Sequence, residues 1–201
     1  MAVAEQLAGQ EDQMLNRVAV AALAGLLLTA GCQKPPPTVN ASMTQVVAPQ
    51  AQTIWDITSA AYNAKGDGLD PSRISPADWI KLEKAGQQLR DRALVLSKAP
   101  HVTAVGRGET IMGEDASGAP GKLGPAWDAA SARKVQAFID ANPTLFAERA
   151  RTLAEAGDTI VKAAPTKDIQ AVYKVASGLD EVCDGCHKTF WGTDEPPPFP
   201  R

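Results

Sequence analysis

At 201 residues, 44% hydrophobic but only 5% aromatic, the chain has the length for one domain with a sizeable core and not for a second. Twenty basic residues against 23 acidic leave a net charge of −3, with no basic patch and no RNA-binding or helix-turn-helix signature, which argues against nucleic acid as a partner. The 15 Pro and 16 Gly gather in a few clusters, a pattern of regular elements separated by distinct loops rather than of general disorder.

The N-terminal stretch LNRVAVAALAGLLLTAGC carries one Arg, then an apolar run from Val18 to Leu28, then small residues ending in Cys32. That is the layout of a secretory signal, expected over residues 1–31, and the run is too short for a membrane span, which takes about 20 residues. Glu5, Glu11 and Asp12 fit poorly in the positively charged start of a signal, whereas translation from Met14 would give a compact signal with Arg17 as its charge. Thr29-Ala30-Gly31-Cys32 resembles a bacterial lipobox, although Thr29 stands where Leu is usual and Leu28 is one place early. The resemblance implies that Cys32 is lipidated and becomes the first mature residue; a plain cleaved signal is the other reading. Residues 32–40, with Pro35-Pro36-Pro37, then form a stiff tether that holds the folded domain, residues 41–191, away from the membrane.

Within the domain, a first amphipathic stretch contains Met43, Val47, Ile54, Ile57 and Ala61, with Pro49 inside it. Proline would bend this helix unless its regular part begins near Pro49. Lys65-Gly66-Asp67-Gly68 reads as a loop. The second helix opens with Ser75-Pro76, a cap followed by proline at the first helical position, and carries Trp79, Leu82, Gly86, Leu89, Ala93 and Leu96 on one stripe. Residues 99–124 are a long Gly- and Pro-rich loop in which Val102 to Val105 is the sole strand candidate. Next come a shorter segment, roughly Trp127 to Ala141, with Val135, Phe138 and Ile139, and a longer one opening with Asn142-Pro143 and carrying Phe146, Ala150, Leu153, Gly157, Ile160 and Ala164. These are one kinked helix or two. The last helix places Ile169, Val172, Ala176, Leu179, Cys183, Cys186 and Phe190 on a single stripe at spacings of three and four, so both thiols are expected to face the core. Residues 192–201 are a Pro-rich tail. The predicted fold class is all-α, a four-helix bundle with up-down-up-down connections, one of them long.

Chemistry is concentrated in Cys183-Asp184-Gly185-Cys186-His187. A structural zinc site wants four ligands, and with Cys32 committed to lipid the chain has no evident fourth partner beyond His101 or a carboxylate. Thioredoxin-like redox chemistry expects its CxxC at a helix start in a βαβ setting, not late in an all-α chain. A structural disulfide would leave His187 without a role. Covalent haem c, one per chain, uses all three residues: Cys183 and Cys186 add across the porphyrin vinyl groups one helical turn apart, and His187 reaches the iron from the same side. Such attachment follows export, which agrees with the signal.

Cys183-Asp184-Gly185-Cys186-His187-Lys188-Thr189-Phe190, at the end of the last helix, is similar to the C-terminal CxxCHxxF of class II c-type cytochromes, the cytochrome c prime family, although Trp191 stands where Arg is often found. The resemblance covers roughly residues 40–191. It implies a haem held between helices near the C-terminal end of the last one, His187 as proximal iron ligand, and electron transfer or gas binding as the use. In low-spin relatives a Met from the first helix is the sixth ligand, which makes Met43 the distal candidate; in high-spin members the site is open behind apolar side chains. A Met/His pair favours electron transfer and a vacant site favours ligand binding. Core filling is the plainer role for Met43. His101 and Met112, both in the long loop, are lesser distal candidates, with solvent the expected surrounding of His101. Trp55, Trp79, Trp127 and Trp191 are expected in the core or walling the haem crevice, and Lys188 in solvent or beside a propionate or a partner's acid.

The sequence therefore predicts a non-enzymatic, lipid-anchored periplasmic mono-haem cytochrome that carries single electrons. The same residues also suit a high-spin haem protein binding NO or CO, or a haem-free structural lipoprotein with a CxxC disulfide. The expected partners are a redox protein or a small gas, the inner or outer membrane reached through the lipid, and, in a homodimer, a second copy of the chain.

Overall fold

The computed structural model describes residues 37–111 and 131–191, all within one compact unit. The expected signal with Met14, Cys32, Met112, Trp127 and the 192–201 tail lie outside the described residues. The elements are α1 (Val39–Ser42), a π-helical turn (Met43–Val47), α2 (Ala48–Ala60), a 3-10 turn (Pro71–Arg73), α3 (Pro76–Lys98), α4 (Ala132–Ala141), α5 (Pro143–Thr166) and α6 (Ile169–Phe190). Among the described residues there is no strand, and the fold class is all-α. An isolated bridge between Tyr62 and Leu69 closes the 65–68 turn.

Residues 102–105, the strand candidate of the sequence, do other work. The Thr103 and Ala104 carbonyls accept the Val39 and Asn40 N–H groups, both at 2.9 Å. These are N-terminal donors of α1 that have no partner within the helix. Thr38 caps the same end by accepting from Ala41 N at 3.1 Å. Residues 38–40, assigned by the sequence to the tether, are thus part of the folded domain.

Pro49 shapes the first helical rod. It offers no N–H to the Gln45 carbonyl, and its ring would crowd that oxygen in a regular helix. The chain widens just before it: the Ala48 N–H donates to Met43 O, five residues back. Regular α-helix then resumes with Pro49 in its first turn, where a missing N–H costs nothing. The i→i+5 turn draws Ser42 towards the stripe of Val47, Ala51, Ile54, Thr58 and Ala61. Ser42 is fully buried as a result, with its hydroxyl donating to Thr38 O at 2.7 Å.

Helix α3 starts as the sequence predicts: the Ser75 hydroxyl accepts from Asp78 N at 3.1 Å and donates to the Asp78 carboxylate at 2.7 Å. The segment around Asn142 resolves into two helices, because Asn142 leaves helical geometry at φ −135°, ψ 53°. Helix α5 ends at Lys167, in the left-handed region at φ 57°, and Asp168 caps α6 by accepting from Ala171 N at 3.0 Å. With two residues between them, α6 turns back along α5.

The tightest packing is between α3 and α5, and glycine makes it possible. A Cβ on Gly86 would stand 2.8 Å from the Gly157 carbonyl oxygen, and one on Gly157 would stand 2.7 Å from both the Gly86 oxygen and the Arg90 nitrogen. The α1–α2 rod packs on α3 and α6, α5 on α6, and α4 touches α5 and α6. All six stripe residues expected on α3, and all six on α5, are buried. The core falls into two apolar clusters. One is built around Ile54, Leu82, Leu89, Ile160 and Leu179; the other, towards the end of α6, around Leu96, Ile139, Phe146 and Phe190.

Gly157→Ala tests the crossing. In an exposed helix the change would stabilise by up to about 1 kcal/mol. Here the methyl group meets backbone atoms that cannot rotate away, so a net loss of about 1–3 kcal/mol is expected from urea unfolding followed by circular dichroism. An unchanged or raised midpoint would show that the helices are free to separate.

Candidate functional site

The last three turns of α6 carry the reactive residues. Cys183, Cys186 and His187 are each half-buried, and the two thiols face the core from its edge. The register matters because Cys183 packs against the first apolar cluster and Cys186 against the second. Met43, from the π turn, packs against both. The seam between the two apolar clusters therefore runs between the two thiols on α6, and Met43 borders both clusters from the first rod.

Aromatic contacts hold the end of the helix. Phe190 is buried, its ring edge-on to Phe146 with centroids 5.4 Å apart. The His187 and Trp191 rings meet edge-to-face at 5.3 Å, and the Trp191 backbone N–H donates to the His187 carbonyl at 2.8 Å. This contact restricts the imidazole from its C-terminal side. Lys188 pairs with Asp184 on its own helix at 3.0 Å, an exposed pair of small energetic weight. The Arg149 guanidinium from α5 lies beside the middle of the motif: a Cβ on Gly185 would stand 3.5 Å from its Nη1.

Burial sets the protonation states. It pushes the Cys186 thiol up to about 11, with the neighbouring Cys183 adding to the rise and Arg149 opposing it. Burial also raises Cys183, with help from Asp180 and Asp184. The same desolvation lowers His187, against the pull of Asp184. At neutral pH the site presents two protonated thiols and a neutral imidazole with a lone pair, the form in which histidine binds a metal. Cys183 and Cys186 are separate thiols. Among the described residues no three His, Cys, Asp or Glu side chains gather as a metal cage.

His101 is exposed and lines a cavity of about 230 Å3 with Leu96, Ile139 and Phe146, a lining that does not include Cys183, Cys186 or His187. Trp79 is in the core, and Trp55 is half-buried, its indole N–H donating to Ala176 O on α6 at 2.9 Å. Three neighbours of the seam were not evident from the sequence: Ser42, Arg92, whose Nη1 lies 3.5 Å from the Ser42 hydroxyl, and Arg149. Ser42 is off a stripe spaced in threes and fours, and only the widened turn before Pro49 signals its burial. No family model, curated protein or solved structure matches this chain.

The raised thiols make a pH-dependent prediction for the chain with Cys183 and Cys186 free. Alkylation consumes the thiolate, and at pH 8 a thiol titrating near 11 is ionised in about one molecule in a thousand. Iodoacetamide labelling of Cys186 at pH 8 is expected to be slower than in the urea-unfolded chain by about a hundredfold or more, climbing until about pH 11. Labelling that levels off near pH 9, read by peptide mass spectrometry, would contradict the desolvation of the site.

Proposed function

We propose that the protein is a mono-haem c-type cytochrome, exported and held at a membrane by lipid on Cys32, that carries single electrons. The observation carrying this reading is that Cys183 and Cys186, one turn apart on α6, pack against two different apolar clusters, both of which Met43 also borders, with His187 next in the chain and half-buried. The donor set fits: two protonated thiols a turn apart, a neutral imidazole and a thioether, at the edge of a low-dielectric interior. Bound haem would supply reversible one-electron iron chemistry. Cys183 and Cys186 would tie the cofactor to α6, His187 would ligate the iron through a ring orientation restricted by Trp191, and Met43 would approach from the opposite rod. The apolar clusters on either side would keep water from the iron and favour its less charged state.

The four longer helical rods, α1–α2, α3, α5 and α6, are read as an up-down-up-down four-helix bundle with α4 and the 99–131 connection as its long crossover. The short α5–α6 turn and the packing of the first rod on α6 support this arrangement. No helix among the described residues is long and apolar enough to cross a membrane; the apolar run from Val18 to Leu28 and Cys32, on which the lipid reading rests, lie outside them.

Absorption spectra of protein made with a haem-attachment system test the reading. A six-coordinate low-spin spectrum, oxidised and reduced, that CO leaves unchanged is the expected result; a high-spin spectrum shifted by CO would assign the protein to gas binding instead. Absence of a Soret band would overturn both and leave a structural lipoprotein. Met43→Ala is expected to convert the low-spin spectrum to one that responds to CO, and an unaltered spectrum would remove Met43 from the iron.

A further inference from the structure

Arg90 and Arg92 lie two residues apart on α3, both half-buried, and their surroundings differ. Arg90 has acids to meet: Asp91 at 2.9 Å and Asp158 at 3.8 Å. Arg92 reaches the Ser42 hydroxyl at 3.5 Å, and among the described residues no carboxylate lies within ion-pair distance of it. Ser42 cannot neutralise the charge; its own proton is committed to Thr38 O at 2.7 Å, so only an oxygen lone pair faces the guanidinium. A partly desolvated guanidinium without a counter-charge is unfavourable, and its five fixed donors match a carboxylate in two-pronged fashion. Ser42 is fully buried and directly precedes Met43, which places this uncompensated charge beside the seam where the cofactor is proposed to sit.

We propose that Arg92 is the counter-charge for a carboxylate group of the bound haem, an inference that rests on the haem reading above. Arg92 acts as a positioning residue, and it holds that carboxylate ionised to lower pH than water would. Ser42 fixes the guanidinium by accepting from Nη1, and the π turn imposed by Pro49 is what brings Ser42 into place. Arg149, from α5, differs from Arg92 in being exposed, beside Gly185 of the motif.

The test is the midpoint potential of the haem-loaded full chain as a function of pH, for the wild type, Arg92→Gln and Arg92→Lys. Removing the charge is expected to lower the potential at neutral pH and to move the carboxylate's pH step upward by about one unit or more. Arg92→Lys keeps the charge without the fork and is expected to shift the step by less. A merely structural arginine would leave the step where it is, so a loaded Arg92→Gln protein with an unmoved step overturns the proposal. Should Arg92→Gln fail to load haem, the uncharged Arg92→Met takes its place, and a loaded Arg92→Met protein with an unmoved step overturns the proposal. A wild-type potential that responds to added phosphate, with the response lost in the variants, would assign Arg92 to a free anion and overturn the haem carboxylate. No Soret band in the wild type would overturn the haem reading itself rather than the role of Arg92.

Discussion

The backbone contact between Gly86 and Gly157 is the constraint on which the other helices depend. Each glycine faces the other's carbonyl at a separation that would bring any β-carbon inside van der Waals contact. Helices α3 and α5 therefore cross more closely than side-chain packing allows, and Leu82, Leu89, Leu153 and Ile160 close around the crossing. The first rod lies against α3 and α6 lies against α5, so the spacing of this pair sets how far apart the walls of the seam stand. Interiors pack densely enough that a shift here is transmitted rather than absorbed.

A second constraint operates at the opposite wall. Pro49 removes one backbone donor, and the chain answers with a single wide turn instead of a bend. That turn decides which side chains meet the seam: Ser42 becomes buried, Met43 touches both apolar clusters, and Arg92 finds the Ser42 hydroxyl. A local covalent property of one residue is in this way converted into the polarity of the surface facing α6. π turns tend to occur at functional positions because they rephase a helix without ending it.

One physical cause, desolvation, acts in opposite directions on the two kinds of group in the motif. It disfavours thiolate at Cys183 and Cys186 and imidazolium at His187, so all three rest in uncharged forms. The charged residues nearby, Asp184, Lys188 and Arg149, stand on the solvent side and modify this state without reversing it. Charge is thereby kept at the rim of the motif.

Much of the fold was legible in the sequence because amphipathic spacing is a local property. Every residue placed on the α3 and α5 stripes is buried, and Ser75-Pro76 opens α3 as its capping chemistry requires. The motif itself, Cys183, Cys186 and His187 on one side of α6, likewise follows from helical period alone. Other features needed the folded chain. Residues 102–105 have strand-like composition but bond to the start of α1, because a helix N-terminus elsewhere in the sequence lacks partners for its N–H groups. Asn142 divides α4 from α5 by a backbone conformation that composition leaves open. Local periodicity determined the helices and the reactive residues, whereas the seam, the burial that sets their protonation, and the meeting of Met43, Ser42 and Arg92 were decided only by tertiary packing, since each depends on distances between elements that sequence spacing does not encode.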